Sequence, residues 1–285
     1  MDLPVLVGVD GSEESLRAVD WAAGEAALRG APLRLVYASL WERYEGSLIA
    51  QDVGKPAEEV MGEDIMNAAG RRARRHHPGL RLTTSVLADE PSFGLVNESS
   101  TARLVVLGCR GRNAVAELLL GSVSLSVAAR AHCPVIVLRG GPEDRPARVV
   151  VGVAGKAAGP AAVRFAAEEA ALRGVPLEAV RAWRRPAHGT TGHPLLAGGP
   201  AHAEEQEAAE TLEEALRDVP EGLEQHRRTA EGHARDVLVA ASRGAGLLVV
   251  GARRRTGRFG PRLGRVAHGV LHHAACPVAV VPETD

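Results

Sequence analysis

The chain has 285 residues, enough for one large domain or two of ordinary size. It is 45% hydrophobic and 24% charged, a composition that builds packed cores and argues against disorder. A formal net charge of −1 gives no electrostatic drive toward nucleic acid or anionic membrane, and 3% aromatic residues are too few for base-stacking platforms.

The start, Met-Asp-Leu-Pro and then the apolar run to Val9, has no basic segment, so no secretory signal is expected. No stretch approaches the roughly 20 apolar residues that span a bilayer. Residues 4–9 read as a first strand. Ser12 is a good N-cap for a first helix, which lines Leu16, Val19, Ala22, Ala23, Ala26 and Ala27 along one apolar face before Gly30 stops it. Further strands are expected near 33–38, 80–87, 103–107 and 134–138. All are read as continuously apolar, as strands buried on both faces of a parallel sheet are. Strands alternating with helices predict a doubly wound α/β sheet. Residues 41–57 and 183–202 read as mobile loops, with a lid as the sharper alternative.

The fourth strand runs into Gly108-Cys-Arg-Gly111, then nine residues, then Gly121-Ser122. Ser122 should open a helix that runs to His132, where Cys133-Pro134 ends it. Phosphates need converging backbone N–H groups, a Cβ at the approach points blocks them, and the positive end of a helix favours them. The hydroxyls of Ser122 and Ser124 would add donors worth about 1.5–3 kcal/mol each toward a charged acceptor. Asp10 ends the first strand, at the sheet edge where open parallel sheets take ligands. Its carboxylate suits a ribose hydroxyl or a base rather than phosphate; taken alone, Asp10 reads equally well as a helix-capping partner.

The whole plan then repeats. Val5-Leu-Val-Gly-Val-Asp-Gly returns as Val149-Val-Val-Gly-Val-Ala-Gly, and Ala26-Ala-Leu-Arg-Gly-Ala-Pro-Leu33 as Ala170-Ala-Leu-Arg-Gly-Val-Pro-Leu177, 144 residues on. Leu104-Val-Val-Leu-Gly108 matches Leu247-Leu-Val-Val-Gly251, and Cys133-Pro-Val-Ile-Val137 matches Cys276-Pro-Val-Ala-Val280, now 143 residues on. The polar segment 140–146 reads as a linker between domains spanning 1–141 and 146–285. Strands of the second copy are expected near 148–153, 177–182, 223–229, 246–250 and 277–281.

Gly-x2-Gly-x9-Gly-Ser after the fourth strand, with Val-Gly-Val-Asp-Gly-Ser12 at the start, resembles the universal stress protein family, and the resemblance covers both copies. It implies an adenine nucleotide alpha hydrolase-like fold in each domain, a five-stranded parallel sheet of order 3-2-1-4-5 flanked by helices. It also implies bound ATP in copies that carry the motif; Mg²⁺ is a reasonable companion of the triphosphate, though no sequence feature holds it. Asp10 would then contact the nucleoside and Ala38 would lie beside the adenine. Gly108, Arg110, Gly111, Gly121, Ser122, Val123 and Ser124 would line the phosphates. The family's last strand often pairs with a mate, so a homo-oligomer or an intramolecular pseudo-dimer through 134–138 and 277–281 is implied.

The second copy departs from the motif. Ala154 stands for Asp10, Lys156 for Ser12, Arg254 for Gly111 and Arg265 for Ser122, while Gly251 and Gly264 persist. It is therefore not expected to bind ATP. Arg253, Arg254, Arg255, Arg258, Arg262 and Arg265 crowd its loop, read as solvated surface with an anion or partner site as the alternative.

Among 11 histidines, His268 and His272 lie four apart on a predicted helix with His273 next; only two share a face, so no zinc centre is expected. The three cysteines, Cys109, Cys133 and Cys276, lack metal-ligand spacing and fit a reducing, cytoplasmic setting. No Walker Gly-Lys-Ser/Thr and no Ser-Gly-Gly loop after the first strand appears, and no general base stands out beyond Asp10. No catalytic residue is assigned. The leading expectation is an ATP-binding, non-enzymatic stress-response regulator; a scaffold without nucleotide and a slow ATPase or nucleotide-transferring ligase are the alternatives.

Overall fold

The computed structural model describes residues 2–40, 57–109, 120–139, 148–155, 160–185, 199–253, 255–257 and 260–283. The chain divides into two compact units, Met1–Leu138 and Arg139–Asp285. The expected linker at 140–146 lies outside the described residues.

The N-terminal unit runs β1 (Val5–Gly8), α1 (Glu13–Arg29), β2 (Leu33–Ala38), α2 (Ala57–His76), β3 (Leu82–Leu87), α3 (Pro91–Glu98), β4 (Leu104–Gly108), α4 (Ser122–Arg130) and β5 (Val135–Leu138). All its strand pairs are parallel, and β1 sits between β2 and β4, with Val5 opposite both Leu33 and Leu104. With β3 beside β2 and β5 beside β4, the order is 3-2-1-4-5. Winding reverses between β1 and β4, so the carboxyl ends of those strands open onto a crevice.

The C-terminal unit repeats this with β6 (Val149–Gly152), α5 (Ala161–Arg173), β7 (Leu177–Trp183), α6 (Gly199–Ala215), β8 (Gln225–Glu231), α7 (Ala234–Ala241), β9 (Leu247–Arg253), α8 (Arg265–His273) and β12 (Val278–Glu283). Parallel pairs give the order β8-β7-β6-β9-β12, the same plan. Part of the arginine-rich loop folds as a small antiparallel hairpin, β10 (Arg255–Gly257) with β11 (Gly260–Arg262).

Local chemistry explains the first helix of each unit. Ser12 caps α1 by accepting the Ser15 amide, and Glu13 and Glu14 complement the helix dipole. At the far end Gly30 adopts φ 62°. Ala31 N–H then reaches back to Ala26 O and Gly30 N–H to Ala27 O, a stop that Gly174 and Val175 reproduce on α5. A Glu25–Arg29 ion pair is buried in α1, side chains 1% and 3% exposed, and Glu169–Arg173 repeats it in α5.

The core is the inner sheet of each unit: Val5, Leu6, Val7, Leu104, Val105 and Val106, and likewise Val149, Val150, Val151, Leu247, Leu248 and Val249, are fully buried. The edge strands differ from expectation. In β3, Thr83, Thr84 and Val86 are exposed, and in β8 so are His226, Arg227 and Arg228. A neighbour on one side only leaves an edge strand half-solvated, so it need not be apolar throughout.

Three boundaries also move. Ala57 already belongs to α2 and Gly199–His202 to α6, so the loop expectations extend too far into helix; residues 41–56 and 186–198 lie outside the described residues. Helix α4 ends at Arg130, two residues before His132, whose amide instead donates to Ser99 Oγ at 2.9 Å. Among the described residues, no helix is long and apolar enough to cross a membrane.

Candidate functional site

Asp10 follows β1 and is held by the start of α1. Its Oδ1 accepts the Ser12 hydroxyl at 2.6 Å and the Ser12 amide at 2.9 Å. Ser12 Oγ in turn accepts the Ser15 amide at 3.2 Å, and the Ser15 hydroxyl donates to Ser12 O at 2.8 Å. The carboxylate is thereby held at the carboxyl edge of the sheet by Ser12, the residue that caps α1, so Asp10 braces the cap without supplying it. Ala38 ends the neighbouring strand β2, opposite Leu87 of β3, and is partly exposed at that edge.

Gly108 closes β4 directly against α1. A Cβ there would lie 2.9 Å from the backbone carbon and oxygen of Glu14 and 3.1 Å from its Cβ. Close strand–helix packing therefore demands this glycine, whatever lies beyond it. The next residue, Cys109, is buried, donates its thiol to Glu14 Oε2 at 3.5 Å, and accepts the Gly121 amide on its backbone oxygen at 2.8 Å. That last bond pins the end of the glycine segment to its beginning. Arg110 and Gly111 lie outside the described residues.

Helix α4 begins at Ser122 with Gly121 as its N-cap, and no side chain caps it. Its first helical bond runs from Leu125 N–H to Gly121 O, so the amides of Ser122, Val123 and Ser124 have no acceptor within the helix. Three donors at a positive helix end, beside the end of β4, make the arrangement a phosphate cradle requires. Ser124 differs from expectation at its side chain. The residue is buried and its hydroxyl donates to Gly108 O at 2.8 Å, fastening α4 to β4, so the hydroxyl proton is already engaged inside the fold. Only its backbone N–H remains suited to an anion. Ser122 is partly exposed at the helix tip.

Sequence reasoning missed Glu14. Its carboxylate accepts from both Cys109 and Arg17, and the hydrogen bond that Arg17 donates to it raises the Arg17 guanidinium above its usual range. With Asp10, it makes the α1 side of the crevice acidic and leaves the α4 side to an anion. The helical position of Glu14, one turn after Asp10, was the only signal.

The equivalent edge of the C-terminal unit is built differently. Pro160 precedes α5 and no side chain caps it; in sequence Ala154 and Lys156 replace Asp10 and Ser12, and Lys156 lies outside the described residues. Glu283 supplies an acceptor instead, taking the Ala162 amide at 3.2 Å in the first turn of α5. The same carboxylate fills the space at Gly251, where a Cβ would lie 2.6 Å from Glu283 Oε1. Ala267 stands where Ser124 makes its bond, and Arg265, first in α8, is exposed. Arg254 lies outside the described residues.

Buried cysteines complete the picture. Burial pushes the Cys133 thiol up to about 12, and Cys276 is equally enclosed at its matching position. Among the described residues, no group of three or more His, Cys, Asp or Glu side chains is placed to hold a metal ion.

Comparison with known proteins agrees with the repeat and the fold. The sequence profile of the universal stress protein family matches residues 3–139 and again 147–282. Universal stress protein Rv2005c of Mycobacterium tuberculosis is 34% identical over 308 residues, covering 98% of this chain and 97% of that protein. Universal stress protein Rv1996 of the same organism is 33% identical over 305 residues, covering 98% and 95%. Among solved structures, a universal stress protein from Archaeoglobus fulgidus matches with a TM-score of 0.71 at 17% identity and covers 100% of both chains, a likeness of fold. The chain belongs to the universal stress protein family, as a tandem member carrying two family domains.

Proposed function

We propose that the N-terminal unit binds ATP, with Mg²⁺ accompanying the triphosphate, and that the chain is a cytoplasmic, non-enzymatic stress-response regulator that reports nucleotide occupancy. The observation that carries the reading is the first turn of α4, beside the end of β4: the amides of Ser122, Val123 and Ser124 have no acceptor within the helix, and no side chain caps its tip. Asp10 would accept a ribose hydroxyl, and Ala38 would offer a small apolar surface to the adenine. Gly108, Gly121, Ser122, Val123 and Ser124 would present the phosphate-facing backbone, with Arg110 and Gly111 completing the loop. Asp10 is engaged by Ser12, and no other residue is assigned to activate water, which favours binding over hydrolysis.

The test is to purify the chain, denature it and identify released nucleotide by mass spectrometry. ATP is expected at close to one equivalent from the parent, and none from Asp10→Ala or Gly111→Arg, which give the N-terminal unit residues found in its twin. Release of no nucleotide by a parent that also fails to take up added ATP would leave the scaffold reading in its place. Steady-state turnover abolished by Gly121→Arg would favour the ATPase reading.

A further inference from the structure

We propose that His268 and His272 form an open, two-imidazole chelate for a borderline divalent transition-metal ion, with Cu²⁺ held more tightly than Ni²⁺ or Zn²⁺. The two residues stand four apart on α8, the spacing that stacks side chains on one helix face. Their ring centroids are 4.6 Å apart, with planes inclined at 36°. The Nε2 of His272 is shut off from solvent and has no hydrogen-bond partner, an uncompensated polar atom beside a second imidazole. His268 is exposed and His272 partly so; an ion entering from solvent beside His268 is held by both rings once His272 turns its enclosed Nε2 toward it, and keeps water in its remaining positions. His273 lies outside the pair: its ring is 6.2 Å from that of His272, and its sequence position turns it off the shared face.

The surroundings favour nitrogen-seeking ions over hard ones. No carboxylate joins the two rings in a metal-holding group among the described residues, which denies Mg²⁺ and Ca²⁺ the oxygen ligands they require. Arg139 stands near enough to the His272 ring to act on it electrostatically. The positive charge of Arg139 opposes any cation, so affinity must come from metal–nitrogen bonding, which peaks at copper across the first-row divalent series. The N-terminal unit has Leu125 and Ala129 at the matching positions, so the donor pair belongs to the C-terminal unit alone. This site is independent of the nucleotide proposal.

The experiment is a Cu²⁺ titration of the full chain in excess Mg²⁺, followed by electron paramagnetic resonance for nitrogen coordination, with Zn²⁺ as a redox-silent second probe. His268→Leu and His272→Ala put into α8 the residues α4 already carries, and circular dichroism checks that they fold. Each is expected to weaken Cu²⁺ binding at least as much as loss of a supporting residue does, roughly 10–100-fold. His273→Ala should bind as the parent does. A parent that takes up no Cu²⁺ in excess Mg²⁺, or equal binding by parent and both ligand variants, or an equal loss in His273→Ala, overturns the proposal.

Discussion

At the scale of single residues, the glycines of the motif separate by what their missing Cβ would strike. Gly108 faces the backbone of α1, which cannot swing aside, whereas a Cβ on Gly264 meets nothing within 4 Å. Gly108→Ala is therefore expected to destabilise the chain by about 1–3 kcal/mol through overpacking. Gly264→Ala should cost less than about 1 kcal/mol, since only the N-cap preference of α8 is at stake. Urea denaturation of the two variants checks this, and equal losses would contradict the steric account. The motif glycines were legible from spacing alone, but the reason for Gly108 was not. Spacing marks where a side chain is missing, and only the packing says whether helix backbone or ligand takes up the space. Ser124 makes the same point from the polar side: a hydroxyl beside a glycine loop reads as a phosphate donor until Gly108 O is found accepting it.

At the scale of elements, capping residues made the helix starts and stops readable. Ser12 and Gly30 mark both ends of α1 as expected. Glu90 at the start of α3 was overlooked because it is not one of the usual short capping side chains. It accepts the Phe93 amide at 2.8 Å and the Ser92 hydroxyl at 2.6 Å, with Pro91 in the first turn. Burial alone would raise its pKa, but the bonds from Ser92 and Phe93 and the charge of Arg130 outweigh it and hold the carboxyl below its ordinary value near 4.5. A carboxyl depressed in the folded state stabilises the chain above its unfolded pKa and loses that contribution as pH falls through the folded one. The stability gap between parent and Glu90→Ala should thus be full at about pH 6 and shrink toward about pH 3. A gap that widens on acidification would contradict the cap. The edge strands β3 and β8 were placed correctly but misjudged in character, since periodicity reports how many faces are dry and not which strand ends the sheet. Ser99 and Ser242 escaped notice for a different reason. Each is buried and accepts the amide of a residue 33 positions on, His132 and Ala275, a bracket between elements that no local pattern announces.

At the scale of the whole molecule, duplication supplied two equal scaffolds and substitution made them unequal at one edge. The inner strands, the glycine stops and the buried Glu–Arg pairs are kept in both units, so the residues that build the fold have not diverged. At the crevice, by contrast, Ala154 replaces Asp10, Ala267 replaces Ser124, and Glu283 stands in for the Ser12 cap. Glu283 takes over the α5 side of the second crevice, where the first has Asp10 and Glu14, but the Asp10 acceptor is gone and the sequence sets arginines at positions 254 and 265, where the first copy has Gly111 and Ser122. One nucleotide per chain is the expected stoichiometry. A ligand held by one unit alone at a hundred times its Kd stabilises that unit by about 2.7 kcal/mol and leaves the other without direct gain. Hydrogen exchange with saturating ATP should therefore show added protection in β1–α1 and β4–α4, and none in β6–α5 or at the start of α8. Glu283→Ala removes the resident carboxylate but restores neither Asp10 nor the bare loop position at 254, so it should not create a second site. Two equivalents of ATP in the parent, or protection that spreads equally to both crevices, would show that these substitutions do not govern occupancy.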